Sequence, residues 1–415
     1  MLHARNSAPE VYPVFEHSPR LWRLVEAANK PGGIERAPLV ALSWLYSLGI
    51  AAFLWPYRVG IRKRKRVKTP VVSVGNLVLG GTGKTPVVRW LCESLVSEGL
   101  KPCVVSYGYG GSACKSPSVV SDGETIYLGA EEAGDEPAML ARFLPGVPVV
   151  VGKRRFEAAR LAEIQLSPDV IILDDGFQHW QLHRDLDIVV IDARRPFGNG
   201  FTIPAGPLRE PVSALRRADM IVLSHSGEVS DEDLRSLRNK VQSLAPNAGI
   251  HLARDGRSAI RALARGERRS PLGDQLQIAN YKLQIETESS DSYSNLQSAM
   301  SNVQSSSNFC AVSSIGTPWS FEKSALAAGF RLACVVRYPD HHAYSVADIE
   351  HISDVARANA ASGIVTTEKD AVRWPNSRQE LPVFVLDTQV EIENGDDLIA
   401  VIWRLLGGHG NKELV

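Results

Sequence analysis

Apolar and polar positions divide this chain into segments of different period. Ala37 to Tyr57 carries no charged residue and is rich in Leu, Ala, Trp and Tyr. About 20 apolar residues are long enough to span a bilayer, and Ser43, Ser47, Gly49 and the aromatics Trp44, Tyr46, Trp55 and Tyr57 also suit a helix lying in the interface. The segment runs into Arg58 and then Arg62-Lys63-Arg64-Lys65-Arg66-Val67-Lys68, a basic run suited to anionic headgroups. A membrane-associated helix followed by a basic cluster is expected over 37–68. A buried core helix is the bland alternative.

Farther along, short β-branched runs alternate with stretches of helical period. Strands are predicted at 71–74, Pro102–Ser106, Val147–Val151, Val170–Leu173, Ile188–Ile191 and Met220–Leu223. Helical stretches fall at Pro86–Gly99, Ala133–Phe143 and Arg154–Leu166. This alternation predicts an α/β fold with a doubly wound, mostly parallel sheet over 69–232. Strand signals resume at Gly249–Leu252, Phe309–Val312, Leu332–Val336, Gly363–Thr366 and Val383–Leu386, so a second, smaller α/β lobe is expected over 233–415. Within it, 270–308 is rich in Ser, Asn and Gln and reads as a surface insertion, partly disordered. Residues 1–36 form an N-terminal extension; its Glu10, Glu16, Glu26 and Glu35, with no apolar stretch before a small-residue cleavage site, argue against a secretory or transit peptide.

Composition narrows the picture further. A chain of 415 residues can bury a sizeable core, and 46 basic residues balance 46 acidic ones, so no global field draws it to nucleic acid. Nucleic acid is not expected as a partner. The five cysteines are scattered, with no C-x-x-C, which points to a reducing compartment and no structural metal.

The candidate chemistry begins where the first strand ends. Val71-Val72-Ser73-Val74-Gly75 leads through Asn76-Leu77-Val78-Leu79 into Gly80-Gly81-Thr82-Gly83-Lys84-Thr85. Glycines in such a turn let backbone N–H groups face phosphates, and the helix that follows presents its positive end. Lys84 would reach the β- and γ-phosphates and the Thr85 hydroxyl would ligate Mg²⁺. The usual first glycine of a phosphate loop is here Val78. A second apolar strand, Val170-Ile171-Ile172-Leu173, delivers Asp174 and Asp175 at its C-terminal end, where nucleotide-binding sheets place a metal-holding carboxylate. Alone, Asp-Asp after a strand serves equally as a helix cap.

These motifs continue in an order that resembles one family. Asp174-Asp175-Gly176-Phe177-Gln178-His179 follows Gly134-Asp135-Glu136-Pro137, and Arg184-Asp185, Arg195-Pro196-Phe197-Gly198-Asn199-Gly200 and Pro204-Ala205-Gly206-Pro207-Leu208-Arg209-Glu210-Pro211 come after. Pro339-Asp340-His341-His342 and Thr366-Thr367-Glu368-Lys369-Asp370-Ala371 complete the series. Together with the glycine-rich loop, in which this family carries Val at position 78, they resemble the tetraacyldisaccharide 4′-kinases of lipid A biosynthesis. The resemblance implies ATP and Mg²⁺ as cofactors and, as substrate, a membrane lipid, an acylated glucosamine disaccharide 1-phosphate. It places nucleotide on Gly80, Gly81, Thr82, Gly83, Lys84, Thr85, Gln178 and Glu210, and metal on Thr85, Asp174 and Glu210. It names Lys84, Asp174, Asp175 and Arg209 among the catalytic residues, with Asp135 as base for the 4′-hydroxyl supported by His341. It implies work at the cytoplasmic face of a bacterial inner membrane, monotopic or single-span, with a mitochondrial membrane as alternative.

Each residue also has an ordinary reading. Asp135 and Glu136 before Pro137 suit a helix start, Arg209 and Glu210 a surface pair, His341 and His342 a turn, and Arg154 and Arg155 a solvated helix end. His179 reads equally as a buried or a catalytic histidine. The family's Arg-Gly-Tyr-Gly is here Tyr107-Gly108-Tyr109-Gly110, replacing a cation by a ring that can stack or donate one hydrogen bond. The alternative function is another P-loop ATPase or GTPase or a small-molecule kinase; a GTPase would need Asn/Thr-Lys-x-Asp, and Thr367-Glu368-Lys369-Asp370 has its Lys one position late.

Overall fold

Parallel strand pairing sets the frame of the molecule. The structure, a computed structural model, describes residues 36–263, 308–316, 318–375 and 380–407; the N-terminal extension through residue 35 and the Ser-rich insertion through residue 307 lie outside them. The described residues divide into two compact units, one of residues 36–257 with 389–407 and one of residues 258–263, 308–316, 318–375 and 380–388.

In the first unit the strands run in the order β8-β7-β6-β1-β5-β2-β4-β3. They are β1 (Val71–Gly75), β2 (Pro102–Ser106), β3 (Ser118–Ser121), β4 (Val149–Val151), β5 (Val170–Asp174), β6 (Leu186–Asp192), β7 (Met220–Ser224) and β8 (Gly249–Ala262). β3 pairs antiparallel, on the outer side of β4. β1, β2, β4, β5, β6 and β7 are buried throughout, which is why they read as unbroken apolar runs rather than alternating ones. Helices cover both faces: Lys84–Ser97 packs Val87, Val88, Leu91 and Leu95 on one, and Arg155–Gln165 packs Ala158, Ala159 and Ala162 on the other.

Two segments assigned to the second lobe by periodicity belong here. Helix Asp231–Leu244 buries Leu234, Leu237 and Val241 in the same cluster as Ile221 and Leu223 of β7, and β8 pairs with β7 from Gly249 to Leu252. The helix Gly395–Gly407 returns to bury Leu398, Ile399 and Ile402 beside Leu91 and Leu95. The reason is non-local: an apolar stripe shows that a helix must be covered, not by which sheet.

The helix Arg36–Arg58 packs on this unit by a narrow face, with Leu54 and Tyr57 buried against Trp180. Only 11% of its most apolar stretch is buried, which removes the core-helix reading. Trp44 stands 71% exposed and Leu48 66%. Of the basic run, Arg62 lies over the Tyr57 ring, Arg64 over Trp180 and Lys65 over Phe156, so part of that charge is turned onto the unit's own aromatics.

The second unit holds a parallel sheet in the order β10-β9-β11-β12, with β9 (Asn308–Ser313), β10 (Arg331–Arg337), β11 (Gly363–Thr367) and β12 (Val383–Ile392). Helix Val346–Ala358 covers one face through Ile349, Ile352 and Ala356, and Pro318–Ala327 the other through Phe321 and Ala325.

Gly75, at the end of β1, shows how closely these segments approach. A Cβ built there would stand 2.6 Å from Cβ and 2.8 Å from the backbone nitrogen of Phe177. Gly75→Ala is expected to destabilise the fold by about 1–3 kcal/mol, read as a lower urea midpoint with unchanged m-value; an unchanged midpoint would show that the loop at Phe177 yields freely.

Candidate functional site

β1 and β5 are paired in register, Val74 opposite Asp174, so the glycine-rich loop and the two carboxylates emerge side by side. At the C-terminal ends of parallel strands this is where ligands bind. The loop is held by side chains as well as by glycine. Gly80 and Gly83 take positive φ, 102° and 78°, and Gly83 is the residue before helix Lys84–Ser97. Buried Asn76 donates from Nδ2 to the Val78 carbonyl at 2.8 Å and to the Thr82 hydroxyl at 2.9 Å. Ser224, at the end of β7, donates to the Thr82 carbonyl at 2.8 Å. Lys84 and Thr85 open the helix, and Gly80 and Gly81 are exposed, so the cradle faces outward.

Charge is concentrated on one carboxylate. Asp175, held at φ 51°, faces Lys84 Nζ at 3.4 Å and accepts from Arg209 Nη1 at 2.7 Å. Burial opposes its ionisation, but Lys84 and Arg209 more than offset that and hold the carboxyl well below the usual range. Asp174 is buried, and burial followed by the charge of Asp175 pushes its pKa up, while Ser106 donates to its Oδ2 at 3.0 Å. Two adjacent carboxylates thus sit in different environments: one clamped by cations, one desolvated at the strand end.

The other expected residues separate. Gln178 donates from Nε2 to the Asn76 carbonyl at 2.9 Å, so it braces the base of the loop. Glu210, expected to hold nucleotide or metal, is buried and gives both oxygens to Arg217, at 2.8 and 2.9 Å. Asp135 is the first residue of helix Asp135–Phe143. Gly134 before it has φ 90°, and a Cβ there would meet the Tyr109 carbonyl oxygen at 2.4 Å, so the Tyr107–Gly111 loop lies against the start of that helix.

Arg155 is the residue that sequence reasoning undervalued. It is buried rather than solvating a helix end, donates to the Gly152 carbonyl at 3.1 Å and to the Asp174 carbonyl at 3.4 Å, and lies 5.1 Å over the Tyr107 ring. Burial lowers its pKa to about 10, so it remains a cation at neutral pH. Tyr107 thus serves as a ring that stacks under an arginine. His179 is lowered to about 4 by burial, then by Arg155 and Arg184, and is neutral at physiological pH.

In the second unit, His341 takes φ 61°, and its Nε2 lies 3.0 Å from Lys369 Nζ. Lys369 is 3.6 Å from Asp340. His342 stacks on Tyr338 and faces Asp348 at 3.1 Å. Asp370 is fully buried and receives Ser314, Thr367 and Tyr344, which fixes the Thr366–Ala371 turn.

A family model described as Tetraacyldisaccharide-1-P 4′-kinase matches residues 36–406. The chain belongs to this family. It is similar to the Tetraacyldisaccharide 4′-kinase of Halothermothrix orenii, 36% identical over 373 residues that cover 88% of this chain and 91% of the relative. It is likewise similar to that of Anaeromyxobacter dehalogenans, 37% identical over 352 residues covering 85% and 84%. Among solved structures it matches LpxK of Aquifex aeolicus, crystallised with ATP, with a TM-score of 0.65 and 27% identity over 90% of this chain and all of that one. The kinase-family match spans every candidate residue named above.

The clamp on Asp175 has a pH signature. A carboxyl whose native pKa is depressed contributes stability above its unfolded pKa, about 3.9, and loses it as pH falls toward the native value. Asp175→Asn should therefore be less stable than the parent chain at pH 7, with the difference shrinking below about pH 4. Denaturant midpoints across pH 2.5–8 test this, and a constant difference would show that Lys84 and Arg209 do not act through charge.

Proposed function

We propose that this chain transfers the γ-phosphoryl group of ATP to the 4′-hydroxyl of a tetraacyldisaccharide 1-phosphate. The observation that carries the reading is the juxtaposition of an outward-facing phosphate cradle with Lys84, Arg209 and the Asp174–Asp175 pair, in a chain of the 4′-kinase family. Phosphoryl transfer asks the protein for positioning and charge neutralisation. The backbone N–H groups of residues 80–84 would hold the phosphates, with Lys84 and Arg209 turning from Asp175 to the anion. Asp175 keeps both cations in place until then. The donor set fits Mg²⁺, since the Thr85 hydroxyl and the Asp174 carboxylate are hard oxygens at the cradle, and these two would hold it. Bound there, Mg²⁺ would neutralise charge on the β- and γ-phosphates. Asp135 is proposed as the base, and His341 as the histidine that supports it.

The assay is incubation of the purified chain with labelled ATP and the disaccharide 1-phosphate lipid, with chromatography of the product. A 4′-phosphorylated lipid supports the reading, and unlabelled lipid with an active control kinase refutes it. Lys84→Ala should cost a hundredfold or more in kcat, roughly the 3 kcal/mol lost with one charge-stabilising group. Asp135→Ala should lower kcat severely with little change in KM for ATP, and His341→Ala less so. Non-additive losses in the double variant would mark the two as one unit; additive losses would give His341 another role.

We infer further that the helix Arg36–Arg58 lies in the plane of the membrane surface on the cytoplasmic side. Its inner side is tied to the first unit from Ser43 to Tyr57, which suits lying along a surface better than crossing it, while Leu45, Leu48 and Trp55 face outward. Each such side chain contributes about 1.5–3 kcal/mol when buried in lipid, and exposed Lys63 and Arg58 add attraction to anionic headgroups. Replacing Leu45, Leu48 and Trp55 by Ser should abolish sedimentation with phosphatidylethanolamine–phosphatidylglycerol vesicles and raise KM for lipid but not for ATP. Unchanged sedimentation would exclude this helix as the attachment.

A further inference from the structure

The helix Arg36–Arg58 is joined to the phosphate cradle by an unbroken series of hydrogen bonds, and Thr202 is its hub. The Thr202 hydroxyl is buried and donates to the Ser43 carbonyl at 3.0 Å. With its one proton so used, it accepts from the Ser43 and Ser47 hydroxyls, each at 2.8 Å, which fills its donor and both acceptor positions. One turn along, the Tyr46 hydroxyl donates to the backbone carbonyl of Arg209 at 3.2 Å. Three polar side chains within residues 43–47 of an otherwise apolar helix therefore converge on the segment 202–209.

That segment is itself compact and rests on the cradle. Thr202 bridges to Leu208, and the Ile203 amide donates to the Leu208 carbonyl at 3.0 Å. Leu208 bridges in turn to Val78, the Leu79 amide donates to the Pro207 carbonyl at 2.8 Å, and the Arg209 amide donates to the Leu77 carbonyl at 2.7 Å. A Cβ on Gly206 would stand 2.0 Å from Asn199 Oδ1, so the segment has no slack on that side. The helix thus contacts the Arg209 backbone, and the segment 202–209 contacts loop residues 77–79.

We propose that this helix is a positioning element for phosphoryl transfer as well as an attachment: Thr202 and Tyr46 seat the segment 202–209, so that the rate of transfer depends on how the helix is held. Thr202 and Tyr46 touch no reacting atom and act through Arg209 and the cradle. A surface that receives the outward face of the helix would fix its inner face as well, giving faster turnover on a lipid surface than on dispersed lipid. The kinetic part rests on the kinase reading above; the mechanical part does not.

The test uses the full chain with Thr202→Val, Thr202→Ser and Tyr46→Phe. Hydrogen exchange measured without substrate should show the Leu79 and Arg209 amides exchanging about tenfold faster in Thr202→Val, the loss of one buried hydrogen-bonding group, with Thr202→Ser close to the parent. With Mg²⁺-ATP and the disaccharide 1-phosphate lipid in mixed micelles, kcat should fall about tenfold in Thr202→Val and severalfold in Tyr46→Phe, while KM for lipid and vesicle sedimentation stay unchanged. Should Thr202→Val not fold, Tyr46→Phe carries the same two readouts. A parent chain that exchanges as described but phosphorylates no lipid would refute the kinase reading and leave the mechanical coupling supported. Unchanged exchange at Leu79 and Arg209, or a loss confined to KM for lipid, would overturn the proposal and leave the helix as an attachment alone.

Discussion

The pairing of β1 with β5 is the constraint on which the first unit depends. Parallel strands in register carry their C-terminal ends to one edge, so Val74 opposite Asp174 fixes the glycine-rich loop beside the carboxylates with no further adjustment. Both strands are wholly buried and paired on both sides, which gives partners to backbone groups that burial would otherwise leave without one, while the Val71 amide donates to Asp185. The close contact of Gly75 with Phe177 follows from the same pairing, because the chain leaving β5 crosses directly over the end of β1.

On that frame the electrostatics are set by concentrating opposite charges where water is scarce. Asp175 lies between Lys84 and Arg209, each of which would be costly to hold near the other without it. Arg155 and Arg217 are handled differently: one stacks on Tyr107 and reaches carbonyls, the other stacks on Phe177 and is closed by Glu210. The cation that an anionic ligand would recruit is thus the one whose present partner is a single, shared carboxylate. Sharing one carboxylate, and not the count of positive charges, distinguishes Lys84 and Arg209 from the structural arginines.

The segment between β6 and β7 has a corresponding part in the mechanics. It carries Thr202 at the apolar helix and Arg209 at the cradle, and its backbone bridges Val78. An enzyme of a family whose acceptor is an acylated lipid has its exposed apolar helix and its glycine-rich loop braced by one short stretch of chain.

The sequence by itself determined a great deal here. Alternating apolar runs and helical periods gave the parallel sheet, since buried parallel strands are apolar throughout, and Gly83-Lys84-Thr85 after β1 could be read because phosphate chemistry needs glycine and lysine at fixed offsets within one turn. The uncharged run from Ala37 to Tyr57 was legible as a helix for a similar, local reason. What tertiary structure alone decided involves partners far apart in the chain. Glu210 and Arg209 are adjacent, yet one faces Arg217 and the other Asp175. Arg155 is buried because Tyr107 and the Asp174 carbonyl, distant in sequence, receive it, and helix Gly395–Gly407 belongs with a unit that the chain left more than a hundred residues earlier. Local pattern fixes what an element is; its partner is chosen by the packing of all the others, because burial and charge pairing are decided by neighbours in space.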